Sequence, residues 1–350
     1  MKISKRNRTN LGNYLTYGFV VAAYVVLQLM ASGGKMSSSL KGMLVPLCAY
    51  VVMAISLNLV VGVSGELSLG HAGFMSVGSF TGVAAAIILQ DVIPSPGARL
   101  ALAMLTGAVF AAFVGFLIGI PVLRLRGDYL AIVTLAFGEI IKSIFNNLYL
   151  GMDANGLHIS MLENKTNLLP DGKLIIGGPM GIGGIKKISS FTGGFVLVMI
   201  CLFVIFNLVN SRSGRAIMAS RDNRIAAESV GINVTKYKMM AFVISAAMAG
   251  AAGALFSLNY STVVANKFDF NTSILVLVFV VFGGLGNMFG SIVAAAALTI
   301  LPEALRGFAT YRMLIYAIVL ILLMLATNSP RLKSLFARIT PKEKEGSENA

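Results

Sequence analysis

Long apolar runs separated by short polar segments repeat along the chain, at 13–31, 41–62, 69–90, 99–123, 129–149, 191–210, 237–258, 272–288, 289–306 and 311–328. Most are close to the ~20 predominantly apolar residues that a helix needs to cross a hydrocarbon core. Only a helix or a closed barrel satisfies its own backbone there, and the runs do not alternate. The pattern therefore predicts an all-α integral membrane protein with about ten transmembrane helices. The ninth run carries Pro302, Glu303 and Arg306 in its second half, which predicts a short or partly re-entrant element. Residues 1–12 and 329–350 read as polar tails around one transmembrane domain, 13–328. Two hydrophilic segments interrupt it, at 150–190 and 211–236. Five runs lie on each side of the first, which leaves an inverted two-half bundle open, although no internal repeat is visible.

Composition agrees with this reading. Hydrophobic residues are 57% of the 350, charged residues 12%, and the mean hydropathy is +0.83. A soluble domain has about 25% charged residues. The net charge of +14 does not indicate nucleic acid, because the basic residues lie between apolar runs and are not interleaved with aromatics. With the N-terminus inside, 17 of the 28 Lys and Arg fall in cytoplasmic segments, so both termini are expected in the cytoplasm. Lys2, Lys5, Arg6 and Arg8 before the first run resemble the start of a signal peptide. That run is long for one, and the following Ala31-Ser32-Gly33 is a weak cleavage site, so an uncleaved first helix is expected. Cys48 and Cys201 lie in apolar runs and read as small core residues.

Catalytic chemistry has no foothold. Gly34-Lys35-Met36 lacks the upstream glycine and the hydroxyl of a phosphate-binding loop, and Gly284, Gly286 and Gly290 miss the dinucleotide spacing. No nucleophile–base constellation or metal-ligand cluster can be drawn, and no cofactor is expected. Energy for uphill movement of a solute would have to come from another subunit.

Three features remain as candidates. The first is 211–236, where Ala216, Ile217, Ala226, Ala227 and Val230 alternate with Arg215, Arg221, Asp222, Arg224 and Glu228. This predicts a helix of about four turns ended by Gly231, with Asn233 or Thr235 capping the next span. Such a helix could dock into a partner or rest on lipid headgroups. The second is the run from Gly62 to Gly78, in which Ser68, Gly70, His71 and Gly73 fit either a broken helix lining a pathway or small-residue packing. His71 is open as a gate or as a hydrogen-bonded structural residue. The third is Glu139 with Lys142, three residues apart within a span, either a functional site or a self-neutralising pair.

Six collinear stretches carry a resemblance. They are Gly65-Glu-Leu-Ser-Leu-Gly-His-Ala-Gly-Phe74, Leu123-Arg-Leu-Arg-Gly-Asp-Tyr-Leu-Ala-Ile-Val-Thr-Leu-Ala-Phe-Gly-Glu-Ile140, Gly177-Gly-Pro-Met-Gly-Ile182, the Gly214–Ile232 segment, Val281-Phe-Gly-Gly-Leu-Gly-Asn-Met-Phe-Gly290, and Leu301-Pro-Glu-Ala-Leu-Arg306. Together they resemble the LivM-type permease subunits of branched-chain amino-acid ABC importers, within a wider family that also serves urea and sugars. Asp222 stands where that family usually has Glu, and Pro330-Arg-Leu replaces its usual C-terminal ending.

The resemblance implies a multi-pass protein of a prokaryotic cytoplasmic membrane. Its partners would be a related permease subunit, two cytoplasmic ABC ATPase subunits and an extracytoplasmic amino-acid-binding protein, with lipid around it. ATPase coupling would fall to Arg215, Arg221, Asp222, Arg224, Glu228 and Gly231, and the pathway to Ser68, Gly70, His71, Gly73 and Glu139. Leucine-like substrates fit this resemblance, and urea or short amides stand as alternatives. The rival class is an ATP-independent channel or secondary transporter using His71 or Glu139; an accessory scaffold is a third.

Overall fold

The computed structural model describes residues 5–33, 36–90, 92–125, 127–153, 156–161 and 172–305, with 314, 318 and 321. The chain divides into two compact units, Met1–Ala296 and Ala297–Ala350, and the account below concerns the first. The tenth expected span, Arg126 and the C-terminal tail lie outside the described residues, apart from the three isolated positions.

Eleven α-helices are described: α1 (Lys5–Ser32), α2 (Ser38–Asn58), α3 (His71–Ile88), α4 (Pro96–Val122), α5 (Asp128–Asn147), α6 (Phe191–Asn210), α7 (Arg212–Asp222), α8 (Arg224–Ser229), α9 (Val234–Ser257), α10 (Phe270–Gly283) and α11 (Met288–Ala304). Seven described segments are long and apolar enough to span a membrane, corresponding to α1, α2, α3, α4, α6, α9 and α10. Helices also occupy the fifth and ninth expected spans, as the charged α5 and the shorter α11. The polar N-tail begins its helix at Lys5, because Lys and Arg continue a helical ladder at little cost.

The tightest packing is among α3, α4 and α9, and small residues permit it. A Cβ at Gly78 of α3 would lie 2.0 Å from the Gly250 carbonyl of α9, and one at Gly250 would lie 2.4 Å from the Gly107 carbonyl of α4. Three backbones therefore meet where side chains are absent, the usual route to close approach between helices in lipid. α2 packs beside them against α9, α6 and α10, and it is buried almost throughout from Leu44 to Asn58. α1 is peripheral, held to α6 by the stacked Tyr24 and Phe195 rings (4.1 Å between centroids) and by Tyr24 Oη to Thr192 Oγ1 at 3.1 Å. Cys48 and Cys201 are buried free thiols.

The all-α expectation needs one correction. Within 150–190 the chain forms a three-stranded antiparallel sheet, with β1 (Tyr149–Asp153) between β2 (Gly156–Ser160) and β3 (Lys173–Gly177). Paired strands satisfy backbone groups that a loop would leave to water. Ile175 and Ile176 of β3 are buried. After the sheet, Gly181 takes φ +68°, and a Cβ there would lie 2.0 Å from the Val263 carbonyl. Ile182 and Val263 then exchange both backbone hydrogen bonds, at 2.9 and 3.0 Å, joining this segment to the α9–α10 connection.

Candidate functional site

α2 does not simply end. At Asn58 its ladder widens into a π-turn over Leu59–Val63, residues 64–70 follow without helix, and α3 begins at His71. π-turns accompany functional sites more often than chance allows. Asn58 is wholly buried and anchors the start of the break. Its Oδ1 accepts from Gly286 N at 2.8 Å, while Nδ2 donates to Ser291 Oγ at 2.8 Å and Asn287 O at 3.1 Å. The end of α2 is thereby pinned to the turn between α10 and α11.

Freed backbone groups of the break are bonded to neighbouring helices. Leu69 N donates to Thr134 Oγ1 of α5 at 3.0 Å, and Ala72 N to Ser273 Oγ of α10 at 3.1 Å. Gly70 and Gly73 lie against the α5 backbone: a Cβ at Gly70 would be 2.0 Å from the Thr134 carbonyl, and one at Gly73 3.0 Å from Gly138 Cα. His71 is buried with Nε2 2.8 Å from Ser56 Oγ. Ser56 Oγ donates to Met53 O at 2.9 Å, so the His71 contact is made by an Nε2–H donor. The hydroxyls of Ser64, Ser68 and Ser76 are buried without a protein partner. Among the proposed pathway residues, Gly70 and Gly73 lie at the α3–α5 contact, His71 bonds α2, and Ser68 sits buried in the break between α2 and α3. Glu139 lies further along α5, bonded to Lys142 Nζ at 2.8 Å, with the two side chains 44% and 23% exposed.

The 211–236 segment folds as two helices, where the pattern predicts one. Asn223 takes an extended backbone (φ −153°) and caps α8 by accepting from Ala226 N at 3.0 Å, a competing side-chain bond that breaks the helix. Gly231, at φ +84°, ends α8, and Asn233 caps α9 through Lys236 N at 3.0 Å. α7 turns Ala216, Ile217 and Ser220 inward, whereas Ile225 and Val230 stand exposed around α8. Arg224 and Glu228 pair at 2.8 Å. Arg215 donates to Asn210 O at 3.3 Å, and Asp222 is exposed apart from its bonds to Arg221.

Arg221 differs from its neighbours. Its Nη1 donates to the Gly62 carbonyl, 2.7 Å away in the π-turn. Beside it Lys238 of α9 forms an ion pair with Glu66, both side chains largely buried. Hairpin and break are therefore one connected structure. The contributions of Asn58, Thr134, Ser273 and Lys238 are absent from the sequence reading, because each bonds a residue far away in sequence. The buried-polar character of Asn58 inside an apolar run is the one local sign of them.

A bundle of apolar helices with an interrupted pair at its centre, and a polar helical hairpin fastened to the interruption, has the build of a membrane transport component. Residues 39–327 match the family described as the branched-chain amino acid transport system / permease component, and the chain belongs to that family. It is 39% identical over 292 residues to the high-affinity branched-chain amino acid transport system permease protein LivM of Salmonella typhimurium, and 37% identical to that of Escherichia coli. Each alignment covers 79% of this chain and 66% of the relative, so the chain spans about two thirds of their length. The LivH permease of the same Escherichia coli system is 25% identical over 261 residues, covering 74% of this chain and 82% of LivH. No solved structure matches.

Proposed function

We propose that this chain is the permease subunit of an ABC importer that moves branched-chain, leucine-like amino acids across the cytoplasmic membrane. The observation that carries the mechanism is the attachment of the α7–α8 hairpin to the α2–α3 break through Arg221 and Gly62. In this reading ten spans place both termini and the hairpin in the cytoplasm, and the β1–β3 sheet faces an extracytoplasmic binding protein. The importer has two ATPase subunits, which couple to this chain through the hairpin around Asp222, Arg224 and Glu228, and a related permease completes the pathway. ATP binding on the partners displaces the hairpin and with it the break, which opens the pathway alternately to each side. The buried, unpartnered hydroxyl of Ser68 is in this reading a pathway group, together with Gly70, His71, Gly73 and Glu139; the hydroxyls of Ser64 and Ser76 are buried and unpartnered too. The family membership and the likeness to LivM support the substrate class.

The test is to co-express the tagged chain with its expected partners, isolate the complex and measure uptake into proteoliposomes. ATP-dependent leucine uptake with both ATPase subunits and a second permease present is expected. Uptake of urea or short amides in its place would change the substrate. Uptake by the chain alone, driven by an ion gradient, would replace the ABC reading with a secondary transporter. Asp222→Arg together with Glu228→Arg should abolish substrate-stimulated ATP turnover in a folded complex; normal turnover would remove the docking assignment.

A further inference from the structure

The socket that receives Arg221 deepens, and rests on, the importer reading. Arg221 closes α7 beside Asp222, and its position in the sequence offers it as a charge for a partner. The side chain, 41% exposed, instead lays its stem and Nη1 on the chain's own break. Its stem lies against Gly65, where a Cβ would be 2.4 Å from Arg221 Cγ and where φ is +76°. Space and backbone conformation each call for glycine at this point. Nη1 reaches the Gly62 carbonyl, and Nε and Nη2 are held by Asp222 Oδ1 at 3.2 and 3.1 Å, which fixes the plane of the guanidinium.

Gly62 is confined from the other side as well. A Cβ there would lie 1.9 Å from Asn58 Oδ1 and 2.2 Å from Gly286 N. A short chain of contacts therefore runs from α7 through Arg221, Gly62 and Asn58 to the α10–α11 turn. The Gly62 carbonyl lies at the C-terminal end of the α2 ladder, where helix carbonyls present partial negative charge, and a forked guanidinium suits that site better than an ammonium.

We propose that Arg221 is a positioning residue of the transport cycle. It is seated in the Gly62–Gly65 socket and carries displacement of α7 to the α2–α3 break and the α10–α11 turn; it does not bind the ATPase. Docking is left to the exposed Asp222 and to α8, whose Ile225 and neighbouring Val230 are exposed and which the Asn223 break separates from the body of α7.

In the reconstituted complex, Arg221→Ala is expected to retain its ATPase subunits at the wild-type level while leucine moved per ATP hydrolysed falls at least tenfold. A folding defect lowers transport and hydrolysis together and leaves that ratio unchanged. Gly65→Ala, which fills the socket with Arg221 intact, should give the same loss, and the double variant should be no worse than either single one. Arg221→Lys keeps stem and charge and should recover part of the ratio; with Gly65→Ala it decides the matter if Arg221→Ala does not fold. Hydrogen exchange on the isolated full chain in detergent needs no transport, so it separates failure of this inference from failure of the importer reading. There the amides of 64–70 should exchange at least tenfold faster in Arg221→Ala, or in Arg221→Lys to a lesser degree, with α8 unchanged. A wild-type coupling ratio, loss of the ATPase subunits on pull-down, or unchanged exchange at 64–70 would overturn the proposal.

Discussion

α2 and α6 are both long and strongly apolar, yet 89% of the most apolar stretch of α2 is buried against 33% for α6. α3 is less apolar than either and is 78% buried. Apolarity in a membrane protein measures distance from water, and lipid tails are as apolar as leucine, so it does not report burial against protein. For α3 the rest of the composition accounts for the burial. α3 carries Gly73, Gly78, Gly82, Ser76 and Ser79, which let backbones and hydroxyls meet other helices. The exposed face of α6 shows Val196, Ile200 and Phe203. Small and weakly polar residues mark the faces of α3 that meet other helices, whereas α2 is buried through bulky Val52, Met53, Ile55 and Leu57.

The sharpest way to break that comparison is to place a bulky residue at the centre. Gly250→Leu drives a side chain into α4 and should leave less than about a tenth of the wild-type monodisperse protein on size-exclusion chromatography, because rigid backbones cannot yield. Recovery at the wild-type level would show that α3, α4 and α9 are not packed as described. A smaller effect is expected from Asn58→Ala, which orphans Gly286 N and other buried groups at the junction with α11. It should cost roughly 2–3 kcal/mol, read as a lowered melting temperature in detergent.

Lys142→Met tests a helix between the two extremes. The Glu139–Lys142 pair is partly open, so its loss should cost about 1 kcal/mol or less in the isolated chain. Lys142→Met should cost more, by a few kcal/mol, in an assembled complex where protein covers this face of α5. The least effect belongs to the rim. Ile200→Ala on α6 should change thermal stability by no more than about 0.5 kcal/mol. A larger loss would make that face a protein contact and not a lipid one.

The helices were largely legible in the sequence, since seven of the expected spans coincide with described apolar helices, and α5 and α11 fill two more. A cap for α9 at Asn233 or Thr235, Gly231 as the end of α8, and the Arg224–Glu228 and Glu139–Lys142 pairs were legible too, because each depends on residues within four positions; the structure chose Asn233. The break at Asn223 was less so. An asparagine inside an amphipathic pattern fits a helix or a cap about equally, and the side-chain bond to Ala226 N decided it. The sheet in 150–190 was missed because its strands are five residues each and separated by Gly and polar residues, so period-two alternation hardly develops.

What the sequence by itself determined is therefore local: where the chain leaves water, where helices start and stop, and which charges neutralise each other one turn apart. Tertiary structure decided which apolar helices face protein, that the glycines of α3 serve close approach, and that Arg221 reaches a carbonyl 159 residues earlier in the chain. The physical reason is one of range. Helix propensity, capping and hydropathy act over a few residues, whereas packing and buried hydrogen bonds exist only once distant segments have been brought within about 3–4 Å.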